Sequence, residues 1–352
     1  MGVRRSRWLG TLGALAVAAL AVAATAPAHA EPKDYTLFDF QFEDGTVVPE
    51  LRIAYETQGT LSPAHDNAIL LLHDTLGDRH AFDALTGPGK VFDASRFFVI
   101  AADALGGGES ASPDDGRGQD FPRYTIRDLM AAEYALVARG LGLTQLRAMV
   151  GRSMGADIAL EWAVHHPEMP HAVVLLAPSA RSDANFQTVV DLLTAAVARD
   201  PDWNGGRYER NPVEGLRHAG MIYYPWAVSA AHLDAISTAQ LAQESEAAAK
   251  QFAAWDANSL VLRYAACREH DIAAPFDGDL DAAAARATMP VLLLPSGSDR
   301  LVDLTGARRL RAALPHASYA EIPGDLGHRA VFAPPGTPEG DFIERAIRGF
   351  IK

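Results

Sequence analysis

The sequence predicts an α/β protein, with a mostly parallel central sheet flanked by helices. Short apolar runs without polar alternation, such as Ala68–Leu72, are typical of strands that are buried on both faces of a sheet. These runs alternate with longer stretches in which apolar residues recur at helical spacing, as in 125–140. The chain has 352 residues, which allows one large domain with an insertion or two domains.

The predicted elements follow one another in the order strand, then helix. An opening pair of strands flanks a turn at Asp44-Gly45. The helix predicted in 125–140 begins after Thr125, whose hydroxyl can cap the first turn. The predicted strands are 35–42, 47–56, 68–72, 97–101, 146–150, 172–177 and 290–294, with a short strand-like segment at 319–322.

The alternation stops between residues 181 and 285. This segment contains no buried-strand run and is rich in Ala, Gln and Glu at helical spacing. We therefore interpret 181–285 as a helical lid inserted into an α/β core, which comprises 31–180 and 286–352.

Residues 1–30 have the pattern of a cleaved secretory signal peptide. Arg4, Arg5 and Arg7 precede an Ala/Leu/Val stretch over 8–24, and Ala28-His29-Ala30 places small residues at the cleavage site. The stretch is shorter than the roughly 20 residues of a membrane-spanning helix. We expect an exported protein, periplasmic or secreted, that does not associate with membrane after the signal is removed.

Composition and charge exclude several functional classes. The chain carries 31 Lys and Arg against 44 Asp and Glu, a net charge of −13, and no run of Lys and Arg occurs beyond the first few residues. A nucleic-acid-binding function is therefore excluded. Its single cysteine, Cys267, cannot form an internal disulfide or a thiolate cluster. We interpret 269–271 (Glu-His-Asp) as an exposed polar turn rather than a cation site. No metal and no bound cofactor are expected, and a homodimer remains open.

The strongest motif is Gly151-Arg152-Ser153-Met154-Gly155. It follows a predicted strand and begins a helical pattern, which is the context of a G-x-S-x-G nucleophile elbow. The glycines allow close backbone contact, while the turn exposes the serine hydroxyl at the helix N-terminus. Ser153 is therefore the candidate nucleophile.

A serine nucleophile needs a base, and only two histidines follow the last predicted core strand. His328 lies on the loop after the strand-like segment, whereas His316 lies between a helix and that segment. Because a post-strand loop reaches the carboxyl edge of the sheet, we choose His328 over His316.

The base in turn needs an acid. Asp299 follows the predicted strand 290–294 and a short turn, which places it at the same edge. Asp303 and Asp325 are rivals, but Asp303 falls at the start of a helix, where capping is the commoner role. We choose Asp299.

The oxyanion of an attacked carbonyl needs backbone N–H donors. Met154 follows the nucleophile and supplies one candidate. The loop after Ala68–Leu72 supplies the second, for which we choose the N–H of Thr75.

With these motifs the chain resembles the homoserine O-acetyltransferase family of α/β-hydrolases. The resemblance implies an α/β-hydrolase fold, the same serine, aspartate and histidine, and a helical lid. The matching segments are 67–73, Gly87-Pro88-Gly89-Lys90, 96–100, 105–107, 125–128, 153–155, 159–162, Asp256-Ala257-Asn258-Ser259, 298–299 and 327–328.

Family members transfer an acetyl group from acetyl-CoA to homoserine through an acyl-serine. A lid arginine and a tyrosine seven residues later contact the substrate in that family, and Arg217 and Tyr224 have this spacing. The family places an aspartate after the triad histidine to meet the amino group of homoserine. This chain has Arg329, which would repel an ammonium group.

Three functions follow from these residues. The main hypothesis is an exported serine hydrolase that cleaves an ester or related acyl bond, and Arg217 and Arg329 suggest a carboxylate on the substrate. The alternative is acyl transfer to an alcohol or amine, since transfer and hydrolysis use the same residues. The third is a non-catalytic binding protein on a hydrolase scaffold.

Overall fold

The computed structural model describes residues 32–352, so the predicted signal segment 1–30 lies outside the described residues. The described strands are β1 (Lys33–Gln41), β2 (Val47–Gln58), β3 (Ala68–Leu72), β4 (Phe98–Ala102), β5 (Ala148–Arg152), β6 (Val173–Leu176), β7 (Val291–Leu294) and β8 (Ala317–Tyr319). The α-helices are α1 (Ile126–Ala135), α2 (Met154–His165), α3 (Ala184–Ala198), α4 (Val213–Ala227), α5 (Ala230–Ala235), α6 (Thr238–Ala253), α7 (Ala257–Arg268), α8 (Leu280–Ala284), α9 (Leu304–Ala313) and α10 (Pro338–Phe350).

The eight strands form one sheet in the order β1-β2-β4-β3-β5-β6-β7-β8. The β1–β2 and β2–β4 pairs are antiparallel, and every pair from β4 to β8 is parallel. The carboxyl ends of β3, β5 and β7 therefore meet at one edge of the sheet. The predicted mostly parallel α/β fold is confirmed.

The apolar runs of the sequence are buried on both faces of this sheet. Leu70 and Leu72 of β3 pack in the same apolar layer as Trp162 of α2, whereas Ile69 and Leu71 pack in the opposite layer with Ile343 of α10. Because helices cover both faces, no position in β3 tolerates a polar side chain, which explains the missing alternation.

The predicted strands differ from the observed ones mainly at the edge. β8 spans three residues and is displaced toward the N-terminus of the segment predicted at 319–322. Ile322 instead forms an isolated bridge with Ser296. The apolar pattern of this segment is weaker than that of the central strands because β8 is an edge strand, which pairs with a neighbour on one side only.

Helices α3 to α8 occupy the segment that we interpreted as a lid. Val190 of α3, Leu216 of α4, Phe252 of α6 and Leu260 of α7 share an apolar cluster, which also includes Leu301 from the core. These helices thus pack on a residue two positions after Asp299. None of the helices in residues 32–352 is long and apolar enough to cross a bilayer.

Candidate active site

The turn between β5 and α2 holds Ser153 in a strained conformation. Its φ of 52° and ψ of −123° lie outside the regions that non-glycine residues prefer. A Cβ at Gly151 would collide with the Gly155 carbonyl, and one at Gly155 would collide with the Leu72 carbonyl. The two glycines therefore permit the tight turn that leaves the Ser153 hydroxyl facing the sheet edge.

Ser153, His328 and Asp299 form a continuous hydrogen-bonded chain in the structure. His328 Nε2 lies 3.1 Å from Ser153 Oγ, and His328 Nδ1 lies 2.7 Å from Asp299 Oδ2. The other carboxylate oxygen of Asp299 accepts hydrogen bonds from the backbone N–H groups of Leu301 and Val302, at 2.8 and 3.0 Å. The backbone thus fixes the carboxylate, and the carboxylate orients the ring.

The rival residues lie elsewhere. His316 is exposed between α9 and β8. Asp303 is the N-cap of α9, where its carboxylate accepts from the N–H of Thr305. Asp325 is exposed on the loop before His328. The side chains chosen from the sequence are therefore those that the fold brings together.

Burial and charge act in opposite directions on His328. Burial alone would lower the pKa of the ring, but the negative charge and hydrogen bond of Asp299 outweigh it and raise the pKa above 6.5. A ring in this environment gains affinity for a proton, as a general base requires.

A rising pH profile is expected from this shift. Only neutral His328 can accept the Ser153 proton, so kcat/KM for a neutral ester should be low in acid. It should rise with pH through a midpoint above 6.5 and then level off. Initial rates between about pH 5 and 9 test this expectation. A flat profile, or activity that falls as the pH rises through this range, would contradict it.

Both candidate oxyanion donors belong to residues that line a cavity with Ser153. Met154 is the first residue of α2, so its N–H has no acceptor within the helix. Thr75 lines both cavities that contain Ser153. The dipole of α2 also places partial positive charge at this point.

Arg263 of α7 holds the loop that carries Thr75. Its side chain is fully buried, and its guanidinium donates to the carbonyl oxygens of Thr75 at 3.0 Å, Gly77 at 3.3 Å and Ala104 at 2.8 Å. The face of Trp255 lies 5.0 Å from the guanidinium carbon. Arg263 of α7 thus holds the carbonyl groups of the loop whose Thr75 N–H is the candidate oxyanion donor.

Sequence analysis missed Arg263, although the sequence contains a signal for it. Leu260, Arg263, Tyr264 and Cys267 recur at helical spacing, and all four are buried. An arginine on the apolar face of a helix needs several internal acceptors, and backbone carbonyls are a ready source.

Two cavities meet at Ser153. The smaller, of about 270 Å³, extends along the start of α2 and the loops around α9. The larger, of about 580 Å³, lies between the β3 loop, α4, α6 and the segment after His328. Four residues line both: Thr75, Ser153, Phe186 and Leu301. This arrangement suits a substrate whose two parts extend in different directions from one reacting carbon.

The three predicted substrate residues have different positions. Tyr224 and Arg329 line the larger cavity. Arg217 does not line either cavity and instead forms an ion pair with Glu246, at 2.6 Å. The structure therefore does not bring Arg217 to the cavities at Ser153, because it lies about two helical turns before Tyr224 on α4 and pairs with Glu246.

Arg152, within the elbow itself, also lines the larger cavity. Its Nε lies 3.0 Å from Asp74 Oδ2. Its guanidinium carbon lies 4.9 Å from the ring centres of both Phe82 and Phe332. The charge is thus neutralised and held between two aromatic faces.

The expectation of an exposed polar turn at 269–271 is wrong for its central residue. His270 is buried, with Nε2 2.9 Å from the Ser179 carbonyl and Nδ1 3.4 Å from Glu161. Burial would lower the pKa of His270, but the charges of Asp157 and Glu161 outweigh it and raise the pKa to about 9. The charge of the His270 ring thus offsets those of Asp157 and Glu161, which lie on α2. Within residues 32–352, no group of three or more His, Cys, Asp or Glu side chains is placed to hold a metal ion.

Comparison with known proteins assigns the family. The profile of the alpha/beta hydrolase fold matches residues 67–333. A homoserine O-acetyltransferase of Mycobacterium marinum is 30% identical, over 92% of this chain and 94% of that protein. One of Leifsonia xyli subsp. xyli is 33% identical, over 81% and 80%.

Two solved structures share the fold of this chain over most of their length. An acetylester hydrolase from Corynebacterium glutamicum superposes with a TM-score of 0.84 at 25% identity, covering 91% of this chain and 95% of that one. A homoserine O-acetyltransferase from Bacillus anthracis gives 0.81 at 25% identity, covering 92% and 97%. The chain therefore belongs to the α/β-hydrolase family, within the group that contains the homoserine O-acetyltransferases.

Proposed function

We propose that this protein is an exported serine hydrolase that cleaves a carboxylic ester through an acyl-serine intermediate. The observation that carries the proposal is the hydrogen-bonded chain from Ser153 through His328 to Asp299, with contacts of 3.1 and 2.7 Å. Export is supported by the arginines and apolar stretch of residues 1–30.

The reaction has two steps of the same form. Ser153 Oγ attacks the ester carbonyl carbon while its proton passes to His328 Nε2, and the N–H groups of Met154 and Thr75 bind the oxyanion. When the tetrahedral intermediate collapses, the C–O bond to the alcohol breaks and the alcohol takes the proton from His328. Water then repeats the sequence, gives its proton to His328, and releases the acid and free Ser153. Asp299 stabilises the ring while it is charged.

Two features of the site favour water over another acceptor. Ser153 is partly exposed at the junction of two cavities, so water reaches the acyl-serine. Arg329, directly after the base, stands where the acetyltransferases carry the aspartate that meets the ammonium group of homoserine, so this chain lacks that carboxylate at the position. The similarity to the acetylester hydrolase from Corynebacterium glutamicum supports a short acyl group.

Acyl transfer is the second candidate. It is favoured by the curated relatives at 30–33% identity, which are homoserine O-acetyltransferases. In that reaction a substrate hydroxyl, rather than water, resolves the same acyl-serine.

Hydrolysis and acyl transfer can be distinguished by whether the acyl group passes to water or to an added acceptor. We expect purified protein to hydrolyse p-nitrophenyl acetate at a rate that does not depend on added homoserine or other alcohols, with acetate formed in equal amount to nitrophenol. The Ser153→Ala variant serves as the blank for spontaneous hydrolysis. Formation of an acetylated acceptor, with negligible hydrolysis in its absence, would overturn the choice of hydrolysis in favour of transfer.

A further inference from the structure

Glu244 on α6 is the centre of a polar cluster in the wall of the larger cavity. One carboxylate oxygen, Oε2, lies 2.9 Å from Arg329 Nη1, 3.0 Å from His232 Nε2 and 3.1 Å from the Tyr224 hydroxyl. Glu244, Tyr224 and Arg329 all line the cavity. Two of these partners, Tyr224 and Arg329, were predicted from the sequence to contact the substrate.

The cluster completes a pattern of paired charges. Four charged side chains line the larger cavity, and they form two ion pairs, Arg152 with Asp74 and Arg329 with Glu244. Both guanidinium groups are therefore neutralised from within the protein. The remaining lining is largely apolar and aromatic, and includes Leu76, Tyr223, Tyr264, Leu301, Leu326 and Phe332.

We propose that Glu244 determines specificity by occupying Arg329, so that the larger cavity accepts an uncharged part of the ester and rejects a part that bears a carboxylate. This inference rests on the proposed ester hydrolysis and names its substrate class. It reverses the expectation, drawn from Arg217 and Arg329, of a carboxylate on the substrate.

A substrate carboxylate would compete with Glu244 for Arg329. A substrate carboxylate could bind Arg329 only by displacing Glu244 or by sharing the cation with it, and two carboxylates at one cation repel each other. Burial opposes ionisation of Glu244, but hydrogen bonds from His232, Tyr224 and Arg329 together lower its pKa. Glu244 therefore remains ionised over the pH range in which the proposed hydrolase is expected to be active.

Esters matched in shape but not in charge test the proposal. One pair of aryl acetates carries a carboxylate or a carboxamide on the alcohol part, and a second pair of p-nitrophenyl esters carries them on the acyl part. We expect the native protein to prefer the neutral member of the pair whose variable part enters the larger cavity. Glu244→Gln keeps the hydrogen-bonding shape but removes the charge, so it should raise kcat/KM for the anionic member relative to the neutral one by about fivefold. That is the scale of a partly exposed ion pair, since the side chains of Glu244 and Arg329 are 28% and 52% exposed.

Two further variants make the result specific. Glu246→Gln, two residues along the same helix, removes a carboxylate that pairs with Arg217 outside the cavity and should leave the ratio unchanged. The double variant Glu244→Gln/Arg329→Gln should lose the gain, because the freed guanidinium is then absent. An unchanged ratio in Glu244→Gln for both pairs, or a native preference for the anionic member of both, would overturn the proposal.

A binding measurement separates this inference from the proposed function. Calorimetry with benzoate and benzamide reports the same discrimination without turnover, and Glu244→Gln should gain affinity for benzoate alone by about fivefold. Failure of every ester to react would overturn the proposed hydrolase, whereas equal effects of Glu244→Gln on both ligands would overturn the role of Glu244.

Discussion

Replacement of Ser153 by alanine is expected to lower the rate of ester hydrolysis by a factor on the order of 10⁵ to 10⁶ and to abolish labelling by a fluorophosphonate. Alanine lacks the nucleophilic oxygen, and no other hydroxyl in the structure is hydrogen-bonded to His328 among residues 32–352. The measurements are steady-state hydrolysis and mass spectrometry of the labelled protein.

The fold should survive this substitution. Within the described part of the chain, the Ser153 side chain makes one hydrogen bond, to His328, and alanine retains the backbone turn that Gly151 and Gly155 permit. The thermal unfolding midpoint of Ser153→Ala should therefore stay within a few degrees of the native value. In larger domains a loss of 1 kcal/mol in the free energy of unfolding lowers the midpoint by about 2–4 °C. Ser318→Ala, on the exposed edge strand β8, is a matched control that should keep full labelling. Native protein that resists the label would instead support the binding-protein hypothesis.

Much of the fold and the candidate site could be predicted because the signals are local. Ala68–Leu72 is apolar throughout, which is typical of a doubly covered strand, and the structure buries every residue of it. The elbow around Ser153 is likewise a short motif with its own strand and helix. Asp299 and His328 follow from their positions after strands, since all parallel strands end at one edge.

The remaining features depend on contacts between residues far apart in the chain. The pair of Arg329 and Glu244 joins the segment after β8 to α6, and no periodicity relates the two. Arg217 shows the same limit, because its spacing from Tyr224 is right but its side chain turns to Glu246. His270 could not be placed either, since its buried partners lie on α2 and in the loop after β6.

Asp299→Asn is expected to lower kcat by about 10⁴-fold while leaving KM and stability nearly unchanged. Asp299 uses one oxygen to accept from the N–H groups of Leu301 and Val302 and the other to contact His328 Nδ1. In the asparagine variant, the amide oxygen retains the two backbone hydrogen bonds, so the amide NH₂ faces the ring. His328 must then accept at Nδ1 and carry its proton on Nε2, where it can only donate toward Ser153. The ring is held in place but in the wrong tautomer to act as a base.

The pH profile provides a second readout of the same variant. Without the Asp299 charge, burial is opposed only by the smaller effects of Asp74 and Asp157 on the His328 pKa, so the midpoint of any residual activity should move down from its native position. Asp325→Asn, an exposed aspartate three residues before His328, is the control and should keep the native rate and midpoint. If Asp299→Asn retained activity within about tenfold of the native protein, which is a loss of no more than about 1.4 kcal/mol, Asp299 would not be the group that orients the base. A full loss with Asp299→Asn but none with Asp325→Asn would assign that role to the carboxylate that the backbone of Leu301 and Val302 holds against the ring.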